Sequence, residues 1–445
     1  MSQYANIMIK RLSLESFCNY VSSDIVSLFF SRDDLYITEN CRIDCGDGHF
    51  EEVTQYRYIT TVKKAKERLD AQGFSIAQLE KQLNEKKLYA IEYTPFLRHL
   101  GIDYDDCENQ ARELSNTKVS IEEWKNAVHK IITYELENGN ITPIRSGCTI
   151  SLKTECDKII YYSLKEYALE RRRYYGLITE HINIAYIYRL ILDSCNDNDE
   201  LTLDFTDLQY RDKDCIDKAL AATGDVEKVI VLVEGTSDKD VLEFALKQLY
   251  PHLYDLFYFM DFDDGNGSKA KRDGGTSYLA KNMKTFYFSR LKAKFIAIFD
   301  NDAEGYQAKC GLESDVEKWP DNFRILQYPD DILFHDYPTL VPNGKMEKDN
   351  IAKKACSIEL YLPDKLIQDS GEYLPIEWEA RKKIKKPDKT EEVLYQGVIS
   401  QKDDIKEKFH TLRKAIENGK KSFVAEEWGR MKQLLDTIVF AFTND

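Results

Sequence analysis

Two short apolar runs organise the middle of the chain: Val229 to Val233, followed by Glu234, and Phe295 to Phe299, followed by Asp300, Asn301 and Asp302. Five consecutive apolar residues bounded by Gly or Asp predict a strand buried on both faces. Between and beyond them the period changes. A helical pattern runs from about Asp238 to Leu249, a strand-like run from Phe257 to Phe262, a helix from Ser277 to Leu291, and a further strand from Phe323 to Gln327. Strands alternating with helices predict an α/β fold with parallel pairing and right-handed crossovers. The turn at residues 263–268 is expected to be a flexible connection.

The flanks have other patterns. Residues 1–115 mix short strand-like runs with a helical segment from Val62 to Leu69, which predicts a small α+β domain. From Ser120 to about Asp193 the pattern is helical. Ser120 and Glu123 form a capping box ahead of Trp124, Val128 and Ile131, and a second helix runs from about Lys158 through Arg171, Arg172 and Arg173. From Gln401 to Phe442, Ile405, Phe409, Leu412 and Ile416 recur at helical spacing, then Trp428, Met431, Leu434, Leu435 and Ile438. Such a stripe serves as core or as a homodimer seam. The expected division is 1–115 α+β, 116–222 helical, 223–370 α/β and 371–445 a helical C-terminal region.

Composition narrows the class. With 445 residues, 43% apolar and 12% aromatic, the chain is long enough for several cores and is not a disordered polymer. No apolar run approaches the ~20 residues that cross a bilayer, and the first residues lack a charged-then-apolar leader, so a soluble cytoplasmic protein with no membrane association is expected. Of ten cysteines only Cys41 and Cys45 lie close together, which cannot supply four zinc ligands, so reduced thiols are expected. A net charge of −15 excludes a protein that coats nucleic acid by bulk electrostatics. Local basic stretches remain, at Lys269, Lys271 and Arg272 and from Arg381 to Lys386.

The acids carry the chemistry. Asp300 and Asp302, two apart at a strand end, offer hard oxygen ligands to one cation, and Glu234 leaves a neighbouring strand. Asp238, four residues on, falls in the first turn of the next helix, where it also favours the helix dipole. Crowded carboxylates repel unless a divalent ion neutralises them, so Mg2+ or Mn2+ is the expected cofactor. Gly235 permits close approach of the backbone to metal or phosphate, as well as a tight turn. Gly274, Gly275 and Thr276 present a helix start that suits a phosphate or a simple N-cap.

Glu-Gly after one strand and Asp-x-Asp after a later one resembles the TOPRIM domain of topoisomerases, bacterial primases and OLD-type nucleases. With Glu234 to Asp238, then Gly274 to Ser277, then Asp300 to Gly305, the chain looks most like the OLD-like branch. That resemblance implies a TOPRIM-type parallel sheet flanked by helices and a further acid, for which Glu359 in Ser357 to Leu360 fits. It also implies a basic residue near the scissile phosphate, with Lys365 and Lys382 to Lys386 as candidates. Ser27 to Phe30, Tyr58 to Val62, Ala65 to Gly73 and Leu203 to Leu208 resemble HEPN/Toprim-associated proteins, which implies a HEPN-like helical region and a setting in bacterial anti-phage defence. The Arg followed closely by His that HEPN ribonucleases use is not met: seven residues separate Arg173 from His181, and Arg98 and His99 are adjacent. That region is therefore expected to be structural or oligomer-forming.

The implied activity is metal-dependent hydrolysis of nucleic acid, DNA favoured over RNA. Glu234, Asp300 and Asp302 would be catalytic, and these three with Asp238 and Glu359 would be ligands to one or two cations. Glu234 could instead stay partly free as a general base. A topoisomerase would need a DNA-gate domain and a primase a zinc module, neither of which is recognisable. A partner-regulated nucleic-acid sensor or scaffold without catalysis is the non-enzyme alternative. OLD-type enzymes carry an ATPase in the same chain, but no Gly-x-x-x-x-Gly-Lys-Ser/Thr loop occurs here, so a separate regulatory or ATPase partner is expected.

Overall fold

The computed structural model describes residues 3–44, 50–86, 183–211, 213–224, 226–260, 275–316, 318–341 and 344–443, with isolated helical positions between 122 and 137. They divide into two compact units, Met1–Val226 with Thr443–Asp445, and Glu227–Phe442. Arg171 to Arg173, His181, Ser120, Glu123 and the expected helix from Lys158 lie outside the described residues, as do Gly274, Lys269, Lys271, Arg272 and the turn at 263–268.

The first unit is built on a five-stranded antiparallel sheet. Strands β1 (Tyr4–Ile9), β2 (Leu12–Cys18), β3 (Leu35–Asp44), β4 (Phe50–Thr61) and β5 (Glu200–Asp204) run in the order β2-β1-β5-β4-β3. Ala5, Ile7 and Ile9 are fully buried and their neighbours are not, which is the alternation of a sheet with one face on a core. Among the described residues this unit also contains helices α1 (Ser23–Phe29), α2 (Val62–Ala71), α3 (Ile76–Lys86), α4 (Ile184–Asp193) and α5 (Lys213–Leu220). Phe29 meets Tyr188 of α4 edge-on, and Tyr58 stacks on Phe205. The central strand comes from residues 200–204, so this sheet draws on both sides of residue 115.

In the second unit β6 (Val229–Leu232), α6 (Thr236–Leu249), β7 (Phe257–Met260), α7 (Thr276–Phe288) and β8 (Phe295–Phe299) follow in sequence. A two-residue strand β9 (Asn301–Asp302), α8 (Ala303–Asp315) and β10 (Phe323–Gln327) come next. The four longer strands form an all-parallel sheet in the order β10-β8-β6-β7. All five positions of β8 are buried, as expected of a strand covered on both faces. Phe295, Ala297 and Phe299 pack with Leu279 and Met283 of α7 and Leu312 of α8. Phe295 also stacks between Phe286 and Phe323.

The remainder departs from the expected helical C-terminal region. Strands β11 (Tyr337–Leu340) and β12 (Met346–Asp349), then β13 (Ala355–Cys356), lead to a short helix α9 (Asp364–Ile367) and a small hairpin of β14 (Gln368–Asp369) and β15 (Glu372–Tyr373). Strands β16 (Ile376–Lys385) and β17 (Glu391–Ile399) form an antiparallel hairpin within a sheet of order β12-β11-β16-β17. Residues 376–385 and 391–399 are thus strand rather than helix. Their Lys and Glu residues favour helices intrinsically, but period-2 burial and the turn at Pro387 to Lys389, with Lys389 at φ 69°, override that preference. Helices α10 (Lys402–Glu417) and α11 (Gly429–Val439) fall where periodicity placed them. Phe409 and Trp428 pack against Phe244 of α6, so the apolar stripe is core of this unit. No described helix is long and apolar enough to cross a membrane.

Phe295 is 1% exposed and meets two rings, so Phe295→Ala is expected to cost about 3–5 kcal/mol. Urea unfolding of the full chain would measure this; a loss below about 1 kcal/mol would contradict the central packing role.

Candidate functional site

Because β6 and β8 are parallel neighbours, their carboxyl ends open at one edge of the sheet, where open α/β sheets place their ligands. Glu234 follows β6 and Asp300 follows β8. The Asp300 amide donates to Glu234 Oε1 at 3.1 Å and ties the two strand ends together. Asp238 lies in the first turn of α6, where its Oδ2 accepts from the Gly235 amide at 3.1 Å. Asp302 caps α8: its Oδ1 accepts from the Gly305 amide at 2.7 Å, and its Oδ2 accepts from Gln396 Nε2 of β17 at 2.8 Å. The Gln327 side chain donates to the Asp300 carbonyl at 3.1 Å. Gly305 is required by space, since a Cβ there would lie 2.3 Å from that same carbonyl oxygen.

Glu359 sits on a one-turn helix, Ile358–Tyr361, and is 1% exposed. Ser357 Oγ donates to its Oε2 at 2.6 Å, and Lys402 and Lys406 of α10 approach within 3.3 and 3.9 Å. Lys402 is the first residue of α10, where the helix dipole opposes a cation. Its position is explained by the carboxylates it faces.

The electrostatics are those of crowded buried acids. Burial, then the Asp302 charge, pushes Glu234 up to about 8. Burial, then Glu359, pushes Asp238 up to about 7. Asp300 is raised well above the ordinary carboxylate range by burial and then by Glu234, Asp238 and Asp302. Asp302 is raised by burial against the Gly305 and Gln396 hydrogen bonds. Burial opposes the Lys402 charge, but Glu359, Asp300 and Asp238 outweigh it and hold that ammonium above its usual value. Tyr328, buried beside the acids, is also raised well above the ordinary tyrosine range, first by burial and then by Asp238 and Asp300.

Among the described residues no three His, Cys, Asp or Glu groups form a closed ligand set. The donor chemistry nonetheless suits a divalent cation. All the groups are hard carboxylate oxygens, and Asp300 Oδ1 is buried without a hydrogen-bond donor among the described residues. Asp300 lies near enough to feel the charges of Glu234, Asp238 and Asp302, and Glu359 acts on Asp238 and Lys402.

The glycines differ. Gly235 is extended (φ −156°), and a Cβ there would meet nothing closer than Asp238 Oδ2 at 4.0 Å, so protein packing does not demand it. Gly275 has φ 92°, a conformation that favours glycine, and its amide donates to the Glu234 carbonyl at 3.2 Å. Thr276 opens α7 directly after it. Four of the five candidate lysines have carboxylate partners: Lys365 with Glu427, Lys382 with Glu304, Lys383 with Glu391 and Lys386 with Glu392. Gln327, Gln396 and Lys402 are site residues that the sequence pattern does not single out. Only Lys402, a cation at a helix start, carries a local signal.

Residues 1–210 match the model of the family described as HEPN/Toprim N-terminal domain 1, in line with the resemblance seen around Ser27, Tyr58 and Leu203. That match ends before the acids. No curated protein and no solved structure matches the chain.

Raised acid pKa values give stability that is full below the unfolded values, 4.5 for Glu and 3.8 for Asp, and that is lost as pH rises through the folded ones, about 7 for Asp238 and about 8 for Glu234. In chelator the thermal midpoint should therefore fall between pH 5 and pH 8.5, and Asp300→Asn should flatten that fall, at about 2–4 °C per kcal/mol regained. Identical pH slopes for variant and wild type would contradict the coupling.

Proposed function

We propose that the second unit carries a TOPRIM-type, OLD-like centre that hydrolyses phosphodiester bonds of nucleic acid, DNA favoured, with Mg2+ or Mn2+ as cofactor. The observation that carries this reading is the grouping of four mutually interacting carboxylates at the carboxyl edge of two neighbouring parallel strands, with one oxygen of Asp300 buried and, among the described residues, lacking a hydrogen-bond donor. The Toprim element in the name of the family matched by residues 1–210 supports it.

In this reading Glu234, Asp300 and Asp302 hold the cation, with Asp238 and Glu359 completing the acid set. Bound there, a divalent ion would lower the pKa of a water and neutralise charge on the phosphoryl oxygens. The chain's own groups do the rest. In the alternative role, a Glu234 that stays off the cation, raised to about 8 and partly exposed, is suited to accept a proton near neutral pH. Gln396 and the Gly305 amide fix the orientation of Asp302, and Lys402 balances Glu359. Anti-phage defence in the cytoplasm, a HEPN-like region at residues 116–222 that serves structure or oligomer formation, and a separate regulatory or ATPase partner complete the proposal.

Supercoiled plasmid, linear DNA and structured RNA would each be incubated with Mg2+ or Mn2+. Cutting by the wild-type chain should vanish in EDTA, and Asp302→Ala should lower the rate on the order of 100-fold or more. Gln396→Ala should lower it about 10–100-fold through loss of Asp302 orientation. Cutting that survives Asp302→Ala unchanged, or no cutting of any substrate, would overturn the reading.

A further inference from the structure

Beside the acids lies a cleft of about 510 Å3 between α7, α8 and β16. Thr276, Ser277, Lys281 and Lys284 of α7 line one side, and Glu304 of α8 and Lys382 of β16 line the other. Ser277, Lys281 and Lys284 stand four and then three residues apart, which puts them on one helix face over ~10 Å of axis at 1.5 Å per residue. The cleft thus carries three lysines against one glutamate, on a chain whose net charge is −15. Internal partners hold two of the lysines in place: Lys382 lies 2.5 Å from Glu304, and Lys284 pairs with Asp315.

Both walls continue into the acid cluster. Thr276 follows Gly275, whose amide bonds the Glu234 carbonyl. On the other side the Glu304 amide bonds Gln396 Oε1 at 3.1 Å, and Gln396 in turn bonds Asp302. At about 30 Å3 for each water displaced, the volume exceeds what a single anion needs. Among the described residues that line the cleft none carries an aromatic ring on which a base could stack. Hydroxyls and ammonium groups suit phosphates instead.

We propose that this cleft is the track for the sugar-phosphate backbone of one nucleic-acid strand, bound without regard to base sequence and delivered to the acids at its end. Its direction toward the acids rests on the reading of that centre as phosphodiester-cleaving. Phosphate contacts led by three lysines make binding strongly salt-dependent and sequence-tolerant.

The test is equilibrium binding of the full chain in EDTA, followed by fluorescence anisotropy of a labelled mixed-sequence single strand and of the matching duplex, across a salt series. The combined Lys281→Gln, Lys284→Gln and Lys382→Gln variant should bind the single strand at least about tenfold more weakly, and its log–log salt slope should shrink by about 2. Lys420→Gln with Lys421→Gln, on the exposed turn after α10, should bind as wild type does. Changing the base sequence should leave affinity nearly unaltered. Wild-type affinity and slope in the triple variant, absence of binding by the wild type, or equal displacement by inorganic phosphate at matched phosphate concentration would each overturn the track. Asp300→Asn separates the two claims: strand binding retained with cutting absent even in wild type would leave the cleft standing and remove the hydrolytic reading, whereas cutting that needs Asp300 but ignores all three lysines would do the reverse.

Discussion

Everything in the second unit bears on one repulsion. Glu234, Asp238, Asp300 and Asp302 are brought together because β6 and β8 are parallel neighbours that end at the same sheet edge, with α6 and α8 starting directly behind them. In a poorly solvated site their ionised forms repel, and each raised pKa has burial as its first cause; the other acids of the cluster add to it at Glu234 and Asp300, Glu359 adds to it at Asp238 and Glu304 at Asp302. The chain relieves the conflict only partly. Backbone amides of Gly235, Asp300 and Gly305, the Gln396 amide and the Lys402 ammonium each answer one oxygen or one charge, while Asp300 Oδ1 has no hydrogen-bond donor among the described residues. Buried charges that a well-packed apolar group could replace are weak devices for stability, and that is why a cation-binding role is the economical reading.

The supports come from far along the chain. Gln396 belongs to the β16-β17 hairpin, Glu359 to a one-turn helix and Lys402 to the start of α10, so the site spans residues 234 to 402. The hairpin has two roles. Through Ile384 and Leu394 it packs on Ala303 and Cys310 of α8, and through Gln396 and Lys382 it orients Asp302 and reaches Glu304. Orientation of the acids is therefore tied to the integrity of the second sheet, and a hairpin mutation far from residue 302 in sequence acts on the site directly.

What was legible in the sequence follows from the range of the contacts involved. The run Phe295 to Phe299 is apolar without interruption because both faces of β8 are covered, and the acids at its end are visible for the same reason. Asp238 was legible as a first-turn acid because helix starts have local signatures. Gln396 was not, because its partner lies 94 positions away and a glutamine in a strand has no chemistry of its own to announce. The hairpin of residues 376–399 was obscured by lysines and glutamates, which favour helices and leave few apolar positions to count. In the first unit β5 pairs with β1 and β4 across long separations that no local pattern encodes.

The most direct test of the central claim is Mn2+ binding to the full chain, followed by the loss of its free-ion electron paramagnetic resonance signal, in wild type and in Asp300→Asn at neutral pH. One or two bound ions in the wild type, with affinity at least about tenfold weaker in the variant, is the predicted result. Equal binding by the two proteins, or none by the wild type, would contradict a cation-demanding acid centre.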